Sequence, residues 1–187
     1  MKKRIYTLLA LFACAFLPLY AADLSDLTYT TTDGEVSITD CDEAATGELV
    51  IPDTIEGNPV TGIWEDAFRN CDSLTSITLP DSLISIGVGT FNNCTSLTSI
   101  TIPDGVTSIG SYAFLNCDSL MSITFGKGSQ LTRIRNYAFS DCSSLTSITI
   151  PDGVTSIEAG AFAECSSLTS ITFGKGSQLT RIRNYAF

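Results

Sequence analysis

The sequence contains no histidine. That removes the commonest general base, the usual nucleophile–His arrangements and most zinc sites. No Cys-x-x-Cys pair is present either, so the spacing of a dithiol redox motif or a zinc knuckle is missing. Charged side chains make up only 16% of the 187 residues, against about 25% in an average soluble domain. Basic residues are scarcest, ten against twenty acids. None lies between Asp23 and Asp66, a stretch that holds twelve of the acids. So acidic a chain repels phosphate backbones, which argues against a nucleic-acid partner.

Long hydrophobic runs are missing too, apart from the N-terminus. There Lys2, Lys3 and Arg4 precede an apolar run from Ile5 to Leu17, and Leu19-Tyr20-Ala21 offers cleavage after Ala21 or Ala22. This is the layout of a secretory signal peptide. Two other uses of the segment fit less well. A retained anchor would need a longer run than one closed by Pro18, and lipidation at Cys14 would follow Leu11-Phe12-Ala13, where Phe12 is a poor match. Removing residues 1–22 takes away three bases and no acids, so the net charge moves from −10 to −13. No transmembrane segment is expected in the mature chain. A bacterial protein secreted or held at the cell surface is the expectation.

What is abundant is repetition. The segments headed by Ile51-Pro52, Leu79-Pro80, Ile102-Pro103, Phe125-Gly126, Ile150-Pro151 and Phe173-Gly174 align with one another. Phe68, Phe91, Phe114, Phe139, Phe162 and Phe187 recur at steps of 23 or 25 residues. Cys71, Cys94, Cys117, Cys142 and Cys165 keep the same phase. The longer units carry Gly-Lys-Gly-Ser-Gln where the shorter ones carry Pro-Asp-Gly, and Ile123 to Phe139 recurs unchanged as Ile171 to Phe187. A 23-residue period lies within the leucine-rich-repeat range of about 20–29. Leu97, Ile100 and Ile102 fit the apolar positions of L-x-x-L-x-L, with Thr101 outward as a strand requires. Pro103 stops the ladder, Asp104-Gly105 turns, Val106 to Ile109 forms a second apolar segment, and Ser111 to Asn116 is expected as a helical or 3₁₀ return. One such coil cannot bury its own apolar face, and stacked neighbours supply the partner.

The unit I-P-D-G-V-T-S-I-G-x-x-A-F-x-x-C-x-S-L-T-S-I-T resembles the BspA-like bacterial leucine-rich repeat, over residues 51–187. The resemblance implies an exposed or secreted protein, often adhesive, with a solenoid fold and no catalytic residues. The expected fold is therefore an α/β-type leucine-rich-repeat solenoid. Short parallel strands stack in a right-handed coil with short helical or 3₁₀ returns, behind an N-terminal β-hairpin cap. The expected boundaries are 1–22 for the signal peptide, 23–48 for the cap, and 49–187 for five complete repeats and a truncated sixth. Alternation from Leu27 to Thr39 around Asp33-Gly34 predicts the hairpin. Asn58-Pro59 is expected to bulge as a loop, and Trp64 to pack against the cap. The pattern stops at Phe187 before its Cys and Leu, which predicts a part of a longer product.

Candidate chemistry is thin. Asp81, Asp104 and Asp152 sit one to a coil, as turn carboxylates do. Cys41 and the five in-phase cysteines form an even set, as in a disulfide framework. Five thiols at one phase point the same way, however, which suits a ladder of buried thiols better than facing pairs. The outward strand positions carry Ser76, Thr78, Ser99, Thr101, Ser122, Thr124, Ser147, Thr149, Ser170 and Thr172, a hydroxyl-lined face suited to β-propensity and solubility or to a ligand. Lys127, Arg133 and Arg135, echoed by Lys175, Arg181 and Arg183, are the one basic cluster. Ser99, Thr101, Ser122, Thr124, Ser147, Thr149, Arg133, Arg135, Arg181 and Arg183 are thus the candidate partner-binding residues. The expected role is a non-catalytic, cofactor-free protein that presents its repeat surface to a protein or glycan. The alternative is a structural spacer, or a fragment of a longer surface protein, with no ligand of its own.

Overall fold

The computed structural model describes residues 21–187. The leader, and the alternatives of an anchor or of lipidation at Cys14, therefore fall outside the described residues, save for Ala21 and Ala22. Asp23 caps a three-residue 3₁₀ turn, Leu24–Asp26. Strands β1 (Leu27–Thr32) and β2 (Glu35–Cys41) then form the antiparallel hairpin. At its tip Asp33 and Gly34 have φ of 52° and 81°, the doubly left-handed turn whose twist matches the flanking strands.

Strand β3 (Gly47–Val50) begins the first coil, two residues inside the segment assigned to the cap. A second hairpin follows, β4 (Thr54–Ile55) against β5 (Asn58–Ile63). Asn58 and Pro59 were expected to bulge as a loop. They lie instead in β5, because Glu56 and Gly57 take the left-handed turn (φ 51° and 79°) and let the chain double back. Each later coil gives one strand of four or five residues and one of two. These are β6 (Leu74–Thr78) and β7 (Ser85–Ile86), β8 (Ser99–Ile102) and β9 (Ser108–Ile109), β10 (Ser122–Phe125) and β11 (Arg133–Ile134), β12 (Ser147–Ile150) and β13 (Ser156–Ile157), β14 (Ser170–Phe173) and β15 (Arg181–Ile182).

The strands of four or five residues stack in parallel as β3-β6-β8-β10 and as β12-β14, and the two-residue strands as β7-β9, continuing from the end of β5, and as β11-β13-β15. Strand β2 pairs in parallel with β5, so the hairpin takes the place of a preceding coil and covers what would be an open edge.

The returns are not the helical segments expected. Residues 111–116 form turns, with Leu115 N–H donating to Tyr112 O at 3.2 Å. Tyr112 and Asn116 have φ of 60° and 58°, which breaks any helical run. The remaining donors reach across to the neighbouring coil: Phe91 N–H to Ala113 O, Phe114 N–H to Ala138 O and Phe139 N–H to Ala161 O, at 2.7 to 2.8 Å. The return is thus a third hydrogen-bonded ladder. An asparagine row supports it, with Asn93 donating to Asn70 Oδ1 at 3.0 Å and Asn116 to Asn93 Oδ1 at 2.8 Å. All three asparagines are left-handed, a conformation Asn tolerates better than most residues.

The core repeats with the sequence. Phe68, Phe91, Phe114, Phe139 and Phe162 are almost completely buried, as are Leu74, Leu97, Leu120 and Leu145. The phenyl rings stack from Phe68 to Phe187 with centroids 5.0 to 5.5 Å apart. The in-phase cysteines are free thiols, all buried except the half-buried Cys165. Each of four reaches back one coil: Cys94 donates to Phe68 O, Cys117 to Phe91 O, Cys142 to Phe114 O and Cys165 to Phe139 O, at 3.0 to 3.2 Å. Trp64 departs from expectation. Its N–H donates to Ile38 O of the cap at 2.9 Å, but its side chain points outward and is 54% exposed. Inward Ile63 fills the space against β2, so the next residue must face solvent.

Phe114→Ala would leave rings unpartnered on both sides. It should destabilise the fold by about 3–5 kcal/mol in urea unfolding, whereas outward Thr101→Ala should stay within about 0.5 kcal/mol.

Candidate binding surface

The ten candidate residues fall on two different faces. Ser99, Thr101, Ser122, Thr124, Ser147 and Thr149 are exposed on the longer strands. The rows are in register: Ser99 pairs with Ser76 and Ser122, Thr101 with Thr124, Ser147 with Ser170 and Thr149 with Thr172. The face is not continuous, because no ladder hydrogen bonds join β10 to β12. A cleft of about 380 Å³ opens there, lined by Thr124, Phe125, Lys127, Thr149, Ile150 and Asp152.

Arg133, Arg135, Arg181 and Arg183 lie on the shorter-strand side. Arg133 pairs with Ser156, which pairs with Arg181. All four arginines are exposed around buried Ile134 and outermost Ile182. Arg183 is not free to meet a partner's anion, because its Nε lies 2.6 Å from Glu158 Oε2. Glu158 is held in turn by Ser156 Oγ, which donates to Oε1 at 3.0 Å. Among the described residues Arg133, Arg135 and Arg181 make no ion pair.

The structure adds residues that the sequence reading passed over. The turn following each short strand forms one corner of the solenoid. Along it lie Trp64, Val88, Tyr112, Tyr137 and Tyr185, with exposures from 38% to 82%. Tyr112 and Tyr137 stack with centroids 5.4 Å apart and ring planes 3° from parallel. These tyrosines share a left-handed position with Asp66, Gly89 and Gly160, all at φ between 52° and 65°. A bulky side chain costs about 1–2 kcal/mol there, and glycine costs nothing. The Tyr137 ring lies over Gly160, where a Cβ would collide with it. The signal in the sequence was the recurrence of Tyr two residues before the core Phe. It was absorbed into the expected helical return.

Aromatic and arginine side chains are the usual anchors of binding interfaces, and here they share an edge. The cysteines have no comparable chemistry. Burial pushes the Cys94, Cys117 and Cys142 thiols well above their ordinary range, and that of Cys165 up to about 11. A thiol protonated at neutral pH is a poor nucleophile. Among the described residues no three His, Cys, Asp or Glu side chains converge as a metal site, and no helix is long and apolar enough to cross a membrane.

Residues 61–187 match the BspA type leucine rich repeat region in six copies. The fold resembles a leucine rich cell surface protein from Faecalibacterium prausnitzii A2-165, with a TM-score of 0.71 and 29% identity, over 93% of this chain and 53% of that one. It also resembles the Treponema pallidum leucine rich repeat protein TpLRR, with a TM-score of 0.63 and 26% identity, over 88% and 86% of the two chains. A leucine-rich repeat protein from Bacteroides capillosus ATCC 29799 aligns with a TM-score of 0.51 and 29% identity, over 80% and 94%. The chain spans about half the length of the F. prausnitzii protein. No curated protein matches it.

If the left-handed corner is strained at tyrosine, Tyr112→Gly should be close to neutral in urea unfolding. Relief of about 1–2 kcal/mol of backbone strain offsets a lost ring contact of about 0.5–1.5 kcal/mol. Gly160→Ala should cost at least about 1 kcal/mol, from the left-handed backbone and the Tyr137 ring together.

Proposed function

The chain belongs to the BspA-type leucine-rich repeat family, and on that premise we propose that it is an exported, non-catalytic binding protein for an extracellular protein or glycan. One observation carries the reading. Tyr112, Tyr137 and Tyr185 hold outward rings at backbone positions where glycine would be relaxed. Residues kept in unfavourable conformations with their side chains offered to solvent point to a use for those side chains. Arg133, Arg135 and Arg181 stand beside them without ion-pair partners, and Asn136 and Asn184 precede two of the rings. Together they offer stacking, charge and bidentate hydrogen bonding on a rigid edge. The hydroxyl rows Ser99, Thr101, Ser122, Thr124, Ser147 and Thr149 supply a second, milder contact face.

Export is supported by the layout of residues 1–22 and by the surface location named for the F. prausnitzii relative. In that arrangement residues 23–48, whose last two open β3, act as the cap, and 49–187 as the presenting repeats. A spacer would do as well with glycine at every left-handed corner, as Gly89 and Gly160 show.

The test is binding of the leaderless chain to immobilised matrix proteins and a glycan array. The Arg133→Glu/Arg135→Glu variant should lose at least about tenfold in affinity, as for a contact worth over 1.4 kcal/mol. Thr101→Ala/Thr124→Ala should change it less than about threefold. A folded protein that binds nothing on either panel would favour the spacer.

A further inference from the structure

The cysteine row has a defect at its first member. Cys94, Cys117, Cys142 and Cys165 each place the thiol within 3.2 Å of a phenylalanine carbonyl one coil earlier. Cys71 has no earlier coil to reach. The cap lies there instead, and it brings Cys41, the one cysteine outside the leader that departs from the repeat phase. Cys41 closes β2 and is buried, as is Cys71. Both thiols turn toward a single acceptor, Asp42 O, at 3.7 Å for Cys41 and 3.9 Å for Cys71. Those contacts are longer than any in the row. The neighbouring Cys71 thiol, with burial, raises the Cys41 thiol far above its ordinary range.

We propose that Cys41 and Cys71 are oxidised to a disulfide in the exported protein, a covalent staple between cap and first coil. The alternative pairing, Cys71 with Cys94, is poorly placed. Those two stand at one phase on stacked coils with Cβ vectors running alongside, whereas a disulfide needs them to face. Cys94 is moreover engaged at Phe68 O. Cys41 arrives from a different strand and direction.

The chemistry is ordinary thiol–disulfide exchange. One cysteine thiolate attacks a disulfide oxidant, forming a mixed disulfide and releasing one oxidant thiol. The second thiolate attacks the protein sulfur of that mixed disulfide, forming the Cys41–Cys71 bond and expelling the second oxidant thiol. Two protons leave the protein and two electrons pass to the oxidant. Once the cap has docked both thiols are buried away from any oxidant, so the exchange belongs to folding. The closed loop holds the second hairpin and much of the acidic stretch, where few opposite charges help the cap to stay down.

In the cell the pairing depends on the oxidising compartment that export provides. Refolding in a glutathione redox buffer supplies the oxidant directly, so its outcome is separate from that of the export reading. The leaderless chain, residues 23–187, is refolded in that buffer, alkylated under denaturing conditions and digested with trypsin and Asp-N. Trypsin cuts at Arg69 between the two cysteines, and Asp-N cuts at Asp81 between Cys71 and Cys94. The expected result is one cross-linked pair containing Cys41 and Cys71, with Cys94, Cys117, Cys142 and Cys165 alkylated. Reductant should lower the thermal midpoint by roughly 5–10 °C, and in Cys41→Ser reductant should leave it unchanged. Recovery of Cys41 and Cys71 alkylated, or a Cys71–Cys94 cross-link, overturns the proposal.

Discussion

A coil of 23 or 25 residues has an apolar interior and nothing of its own to close it. Every other feature follows from stacking the next coil against it at the spacing that parallel strands permit, about 4.8 Å. Phenyl rings laid one on another at 5.0 to 5.5 Å are the side-chain counterpart of that spacing. Because rings stack on rings and thiols donate to carbonyls one coil away, the side chain at each phase is fixed by its neighbour as much as by its own coil. That is why Phe, Leu and Cys repeat at constant phase in the core.

The same constraint explains the returns. A helix would satisfy its backbone internally and leave nothing for the adjacent coil. Left-handed residues at the Tyr112 and Asn116 phases turn the peptide groups sideways, so that Phe91 N–H and Phe114 N–H bond across coils. The cost falls on whichever residue takes the left-handed corner. Asn at one such position lowers it and joins a side-chain row. At the other, Gly89 and Gly160 carry no such strain, and Tyr112, Tyr137 and Tyr185 accept it with their rings held outward.

The inward half of this arrangement was legible in the sequence. Phe, Leu and Cys recur at constant phase, and constant phase on a stacked coil means constant direction. Asp33-Gly34 announced its hairpin because few other pairs accept two left-handed residues in succession. The outward half was less legible. Trp64 reads as a core residue by size, yet its place next to Ile63 decides its direction. Glu56-Gly57 carries the same turn signal as Asp33-Gly34, but Pro59 drew attention to a break where a strand begins. Arg183 looks equivalent to Arg135 in sequence. Only the three-dimensional stacking brings Glu158 to Arg183 and leaves Arg135 unpaired. The interruption between β10 and β12 falls at a 25-residue step, between Phe114 and Phe139, although the Phe row itself runs through it unbroken.

From Ile102 onward the glycines tie the coils together in pairs. The Asp104 carboxylate of a short unit nests against Gly126 and Gly128 of the following long unit, and its Oδ1 accepts from Gly128 N–H at 3.0 Å. Asp152 meets Gly174 and Gly176 in the same way. A side chain at Gly126 or Gly174 would occupy the space of that carboxylate. A long unit therefore suits a short unit before it. The duplication of 123–139 as 171–187 respects that pairing. It also spaces the surface: Arg133 recurs as Arg181 and Tyr137 as Tyr185 two coils on, about 10 Å apart at the parallel-strand spacing. With Glu158 and Gly160 between them, the exposed cations and rings alternate with an acid and a gap. A partner that used more than one of these positions would have to offer its own groups at that same period.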